Sequence, residues 1–197
     1  MNSAELGFWE ERYQAGRMPW DFRSVPRALL GWLGSCRTPG RVLIPGCGSG
    51  YEVRAFAEHG WDVLAVDFSP SAVRRAQAEL GALGNRVALA DFFRGDFGPR
   101  EFDAVYERTF LCALPPARWP DYVRRVLESL VQGGKLIGFF FYGREDEPPP
   151  FPLTEERAQS LFGRELVRVE DKLATDSLEL YAGHERWQVW ERRRGFP

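Results

Sequence analysis

The sequence predicts an α/β fold built on an open, doubly wound, mostly parallel sheet with helices on both faces. Three observations predict it. Strand-length apolar runs alternate with segments of helical pattern along the chain. The first run passes directly into a glycine turn and then a helix, Pro45-Gly46-Cys47-Gly48-Ser49-Gly50 before Tyr51. The last two runs are joined by too little helix for a parallel crossover, so they are expected to form an antiparallel edge.

Taken in order, helical patterns cover residues 5–14 and 26–33, and residues 41–44 form a short apolar strand. A helix over 51–59 ends near Gly60. Residues 62–66 are a second apolar strand. Ser69-Pro70 opens the next helix, with serine as cap and proline in the first turn. Strands follow at 86–90 and 102–106. A helix over 119–131 is expected to stop at Gly133-Gly134, before a strand over 135–142. The prolines of EDEPPPFP, residues 145–152, exclude helix and predict a loop. Thr154 caps a helix over 154–162, with Glu155 and Glu156 in its favourable first turn. Residues 165–172 and 185–192 alternate as half-exposed strands.

Bulk properties limit the function. The 197 residues suit one domain, with 44% hydrophobic and 27% charged residues. A net charge of −2 lacks the basic excess that binding to phosphate backbones demands. The run Arg192-Arg193-Arg194 reads as a solvated strand end. No apolar run is long enough to cross a membrane. The three cysteines, Cys36, Cys47 and Cys112, make no disulfide framework and suit a reducing cytoplasm. No Cys, His and carboxylate cluster has metal-ligand spacing. His59 and His184 stand apart and read as structural.

The glycine turn carries the sharpest signal. Glycines there allow positive φ and close approach of backbone to a ligand; the plainer alternative is a tight turn without one. A dinucleotide fingerprint would place a third glycine at position 51, which is Tyr51. The pattern is G-x-G-x-G, against a nicotinamide or flavin site. The second strand ends at Asp67-Phe68, where a carboxylate can accept from both ribose hydroxyls of a nucleoside. The alternative is a solvated turn aspartate. The third strand ends at Asp91-Phe92, suited to an adenine amino group and ring, or simply to a strand end.

The series IPGCGSG, VDFS and ADFF resembles the cofactor motifs of class I S-adenosylmethionine-dependent methyltransferases. That resemblance covers residues 41–93 and implies a Rossmann-like, seven-stranded sheet. It also implies S-adenosylmethionine as cofactor and S-adenosylhomocysteine as product. Beyond it, the chain resembles the thiopurine, thiol and halide methyltransferase branch. FWEERYQAGRMPWD, YERTFLCALPP and EPPPFPLTEERAQSLFG carry this second likeness. The branch implies that Trp9 and Trp20 close over the cofactor and that the proline-rich segment covers the substrate. The cofactor motifs are expected to put Gly46, Gly48 and Gly50 under the methionine part, Asp67 on the ribose, and Asp91 and Phe92 around the adenine, with Phe68 also at the cofactor site. Glu107 and Arg108 would lie near the methyl as catalytic candidates. Trp9 reads equally as ordinary core, Glu107 and Arg108 as a solvated turn, and Cys47 and Cys112 as packing residues. Within the branch, the Pro-Gly-Cys-Gly turn and the Cys-Ala-Leu-Pro run look like the thiol and halide enzymes, whereas Arg108 matches an arginine that meets substrate in the thiopurine type.

The expectation is one methyltransferase domain over 1–197. It has a helical lid segment (1–35), a cofactor-binding half (41–93) and a substrate-side half (102–197). The expected partner is a small-molecule methyl acceptor, a thiol, thiopurine or other soft anion, with no nucleic acid and no membrane. The protein is expected to be cytoplasmic, and a monomer or weak dimer. Two alternatives share the fold: a small-molecule N- or O-methyltransferase, which would need a base and finds only Glu107, and a non-catalytic S-adenosylmethionine-binding protein.

Overall fold

A computed structural model of the chain describes residues 3, 5–98, 101–144 and 148–195. The chain divides into two compact units, Met1–Gly95 and Asp96–Pro197.

The first unit holds helices α1 (Leu6–Gln14), α2 (Arg27–Ser35), α3 (Tyr51–Glu58) and α4 (Pro70–Leu80), and strands β1 (Arg41–Pro45), β2 (Asp62–Asp67) and β3 (Val87–Leu89). Strand β2 pairs parallel with both β1 and β3. Val42, Leu43, Ile44, Ala65 and Val66 are buried to 4% exposure or less. Such continuous burial is what a parallel strand covered on both faces requires. Ser69 caps α4 as expected, its side chain accepting from the Ala72 amide at 3.1 Å.

The second unit holds strands β4 (Phe102–Arg108), β5 (Leu130–Phe141), β6 (Leu166–Leu173) and β7 (Glu185–Arg192), with helices α5 (Trp119–Ser129) and α6 (Glu155–Phe162). Strands β4 and β5 are parallel. Strand β7 runs antiparallel to both β5 and β6. Thr154 caps α6 by accepting from the Arg157 amide at 3.1 Å. The seven strands follow the order β3-β2-β1-β4-β5-β7-β6. The α/β class and the mostly parallel sheet with its antiparallel edge are therefore as expected.

Two boundaries differ from the sequence reading. The helix expected over 119–131 ends at Ser129, and Leu130 opens a strand. Gly133-Gly134 lies inside that strand and does not stop the helix. The register against β4 jumps from Leu130 to Lys135, and Gly133 at φ 75° lets the intervening residues bulge. Arg192 donates to the Leu127 carbonyl at 2.7 Å and to that of Leu130, covering the helix end from the side. The second difference is at β4. Glu107 and Arg108 were expected beyond the strand, and they are its last two residues.

Residues 145–147 of the proline-rich segment lie outside the described residues. The following stretch, 148–154, has no helix or strand. It is tied down by two backbone bonds, from the Phe151 amide to the Cys112 carbonyl at 2.7 Å and from the Leu153 amide to that of Phe141 at 2.8 Å. No described helix is long and apolar enough to cross a membrane.

Candidate active site

In the first unit the glycine turn takes the conformation its composition demands. Gly46, Gly48 and Gly50 have φ of 58°, 53° and 74°, which side chains other than glycine rarely adopt. Gly48 is held doubly. Its amide donates to Asp67 Oδ2 at 3.0 Å, and a Cβ there would lie 2.9 Å from the Tyr13 hydroxyl. Asp67 Oδ1 accepts from the Ser69 amide at 2.9 Å. The carboxylate is 6% exposed. Burial raises its pKa to about 6, against the pull of the Ser69, Gly48 and Phe68 amides. Asp67 thus braces the loop to the end of β2 and keeps acceptor capacity on both oxygens.

The opening segment is clasped onto this loop at two polar points. Glu10 of α1 accepts from the Ser69 hydroxyl at 2.6 Å and from the Ser71 amide and hydroxyl at 3.1 and 2.6 Å. It sits at the N-terminus of α4, where amides and dipole favour an anion. Burial works against its charge, but these bonds prevail and lower its pKa to about 2. Asp21 makes the second point. Its Oδ2 accepts from the Ser49 hydroxyl at 3.0 Å, and Ser49 in turn accepts from Arg75 Nε at 3.0 Å.

Between these points lies an aromatic chain. Trp9 and Trp20 meet edge to face at 5.1 Å, Tyr13 meets Trp20 at 5.9 Å, and Phe8 meets Trp9 at 4.9 Å. The Trp9 indole donates to the Ser3 carbonyl at 2.7 Å. Burial foremost, then the Asp67 charge, pushes the Tyr13 hydroxyl far above its ordinary pKa, so it stays protonated.

Phe68 and Asp91 meet in a cleft of about 420 Å³, with Leu6, Leu89, Ala90 and Arg94. Leu6 and Leu89 are unusually exposed for their type, at 44% and 57%. An open-faced cleft that combines apolar side chains with a carboxylate, beside a braced glycine loop, has the chemistry to take a purine ring and its amino group. Asp91 Oδ1 accepts from the Phe93 amide at 2.8 Å. Phe92 is 3% exposed and packs on Phe93; it backs this region from the core, apart from the residues lining the cleft. The sequence-predicted residues Trp9, Trp20, Gly46, Gly48, Gly50, Asp67, Phe68 and Asp91 are all in this unit, and each has a defined place in the loop, its clasp or the cleft.

In the second unit, β4 ends in a strained turn. Thr109 has φ 56°, an outlier for a β-branched residue. Glu107 sustains that turn from beneath. Its Oε1 accepts from the Phe110 and Leu111 amides at 2.9 and 2.8 Å, and its Oε2 from the Tyr122 hydroxyl of α5 at 2.7 Å. Burial raises this carboxyl to about pKa 7, against those donors.

Arg108 is carried on the opposite face of β4. Its guanidinium carbon stands 4.8 Å from the Phe139 ring centroid. Strand pairing puts Arg108 beside Phe139, Phe139 beside Trp187, and Phe141 beside Glu185. Because alternate strand residues share a face, these five side chains form one row at the carboxyl end of β5. Tyr181 packs edge-on to Phe141 at 5.5 Å. Cys112 is buried, and burial foremost holds its thiol well above the usual range. It therefore stays a thiol.

The sequence reading missed Glu10, Tyr13, Asp21, Ser49 and Arg75. Ser69-Pro70-Ser71 does signal a helix start that seeks an anion, but nothing local tells which carboxylate answers it. His59 bonds the Ala55 carbonyl at 2.8 Å at the end of α3, a structural place. Among the described residues no group of His, Cys, Asp and Glu has the arrangement of a metal site.

Comparison with known proteins identifies the family and the fold. The thiopurine S-methyltransferase family pattern matches residues 4–193. A probable thiol methyltransferase 2 of Arabidopsis thaliana is 30% identical over 181 residues, 87% of this chain and 79% of that protein. Thiocyanate methyltransferase 1 of Brassica oleracea is 27% identical over 199 residues, 96% of this chain and 87% of that one. A thiopurine S-methyltransferase of Vibrio cholerae is 30% identical over 188 residues, 86% of each chain. Among solved structures, 1,6-didemethyltoxoflavin-N1-methyltransferase of Burkholderia thailandensis, crystallised with S-adenosylhomocysteine, superposes with a TM-score of 0.77 at 20% identity. It covers 96% of this chain and 87% of its own. Magnesium protoporphyrin IX methyltransferase of Synechocystis, with bound S-adenosylmethionine, gives 0.67 at 20% identity, over 84% and 76%. At that identity the two structures speak for the fold alone.

Proposed function

The chain belongs to the thiopurine S-methyltransferase family and is an S-adenosylmethionine-dependent methyltransferase, and from that premise we propose that it methylates the sulfur of a small thiol or thiopurine, or another soft anion. The relatives above are named for thiol, thiocyanate and thiopurine acceptors. The single observation that carries the reading is Arg108. It is a cation on an aromatic floor at the carboxyl end of a parallel strand, the end where ligands gather in such sheets.

The residues present fit the cofactor. The loop over Gly46, Gly48 and Gly50 offers side-chain-free backbone at positive φ to the methionine part, Asp67 keeps acceptor capacity for ribose hydroxyls, and Phe68 and Asp91 line a cleft of mixed polarity for adenine. Phe92 supports that wall from behind. When bound, the cofactor supplies a methyl group already activated by its sulfonium charge. Trp9, Tyr13 and Trp20, fastened by Glu10 and Asp21, keep water from it. Arg108 draws in an anionic nucleophile by Coulomb attraction and desolvates it over Phe139. Glu107 spends both oxygens on internal donors, so its part is to hold the turn that aims Arg108. A soft anion needs no strong base, and proximity supplies most of the remaining acceleration.

The sparse cysteines Cys36, Cys47 and Cys112 suit a reducing compartment, and we place the protein in the cytoplasm, as a monomer or weak dimer acting on small molecules. Labelled methyl transfer to a panel of arenethiols, a thiopurine, hydrosulfide, thiocyanate and iodide, with amine and phenol controls, tests the reading. Transfer to sulfur or halide acceptors is expected. Transfer confined to the amine or phenol refutes the acceptor class and leaves the cofactor site standing.

A further inference from the structure

Two buried carboxylates stand at this end of the second unit, and their surroundings differ. Glu107 has three donors on its two oxygens. Glu185, the first residue of β7, is 3% exposed, and its Oε2 makes no well-formed hydrogen bond among the described residues; the Ser177 hydroxyl stands near the carboxyl and is itself unsatisfied. Leaving a buried carboxyl oxygen without a well-formed hydrogen bond is costly, so a retained one calls for an explanation. Its position is fixed by backbone. The Glu185 carbonyl accepts from the Ala174 amide at 2.9 Å, and the residue pairs with Phe141 on β5. It thereby shares a face with Arg108, separated from it by the Phe139 and Phe141 row.

We infer that Glu185 is the proton acceptor for neutral thiol substrates, and that it divides the acceptors this enzyme takes into two kinds. The inference rests on the sulfur-acceptor reading above. A neutral thiol must lose a proton to become a good nucleophile, and Arg108 cannot take it. In the step assigned here the S–H bond breaks and the proton passes to Glu185 Oε2. The freed sulfur pair forms the bond to the methyl carbon. The methyl–sulfonium bond breaks with its pair left on the cofactor sulfur. The proton goes to solvent when the thioether leaves. A permanent anion such as thiocyanate needs no such step, and for it an ionised Glu185 is a nearby like charge.

The surroundings suit a base of this kind. Burial foremost raises the Glu185 carboxyl, and Asp176 adds to this, while the Arg108 charge and the neighbouring Ser177 hydroxyl oppose it. Tyr181 and Cys112, which interact with the Glu185 charge, both have their pKa pushed up and stay protonated. They leave Glu185 as the basic group.

The test compares an alkyl thiol with thiocyanate as acceptors for the wild type and Glu185→Gln. At pH 7 the variant should lose about 10²- to 10⁴-fold in kcat/KM for the thiol and gain severalfold for thiocyanate. Calorimetric S-adenosylhomocysteine affinity, equal in both proteins, shows that the variant is folded. Equal losses for the two acceptors, or no change in either, overturn the assignment. A second measurement uses the unaltered protein. Its kcat/KM for the alkyl thiol should level off well below the thiol's own pKa. A rate still rising about tenfold per pH unit up to that value means that no protein base acts. A wild type that methylates neither acceptor instead refutes the sulfur-acceptor reading itself, and the role of Glu185 with it.

Discussion

At the scale of single residues, the cofactor side depends on two carboxylates in opposite electrostatic situations. Asp67 is buried and its pKa is raised to about 6. It is anionic above that value and protonated below it. Affinity for S-adenosylhomocysteine, measured by calorimetry, is therefore expected to fall as pH drops through about 6. Asp67→Ala should weaken binding about 10- to 100-fold, because charge-assisted bonds to ribose and loop are lost together; unchanged affinity removes the assignment. Glu10 is the reverse case, held down to about 2 by Ser69 and Ser71. Its folded pKa lies below the unfolded one, so its contribution is present above about 4.5 and is lost as pH falls toward about 2. Glu10→Ala should cost about 1–3 kcal/mol in denaturant unfolding and raise the KM for the cofactor by loosening the lid. A variant with native stability and native KM would show that the clasp has no energetic role.

At the scale of elements, the turn after β4 shows what sequence does and does not disclose. The position of Glu107 and Arg108 near a strand end was legible, since Phe102–Tyr106 alternates into an obvious apolar strand. That the strand continues through both residues was not. A charged pair looks like solvent, and only the Phe110, Leu111 and Tyr122 donors make a buried carboxylate tolerable there. Glu107→Ala leaves those three donors unsatisfied and should destabilise the protein by roughly 3–5 kcal/mol. Wild-type denaturation midpoints in that variant would contradict the bracing role. The boundary at Leu130 was hidden for a related reason. Helical periodicity runs on past Ser129, and Gly133-Gly134 has the composition of a helix stop, but pairing with β4 overrides both. The glycine loop was legible because its signal is local and conformational. Glu10 was not, because Ser69 and Ser71 lie 59 and 61 positions away.

For the whole molecule, the strand and helix order was readable because each strand is a short apolar run bounded by turn residues. The placing of β7 between β5 and β6 depends on long-range pairing that no local pattern encodes. One global property follows from the buried acids. Asp67 and Glu107 have folded pKa values of about 6 and 7, above their ordinary ones. Their stabilisation is present at low pH and is lost as pH rises through those values. On their account the melting temperature of the cofactor-free protein should fall between about pH 5 and pH 7.5, and a rise over that interval would contradict the burial described. S-adenosylmethionine, which binds only the folded chain, should raise it in a concentration-dependent way.

The most direct test is the rate of methyl transfer from S-adenosylmethionine to an arenethiol against that to the phenol of the same ring. Sulfur should be methylated at least about 100-fold faster, a difference of about 2.7 kcal/mol in barrier. A phenol methylated as fast as the thiol would mean that Arg108 and its aromatic floor serve a different acceptor.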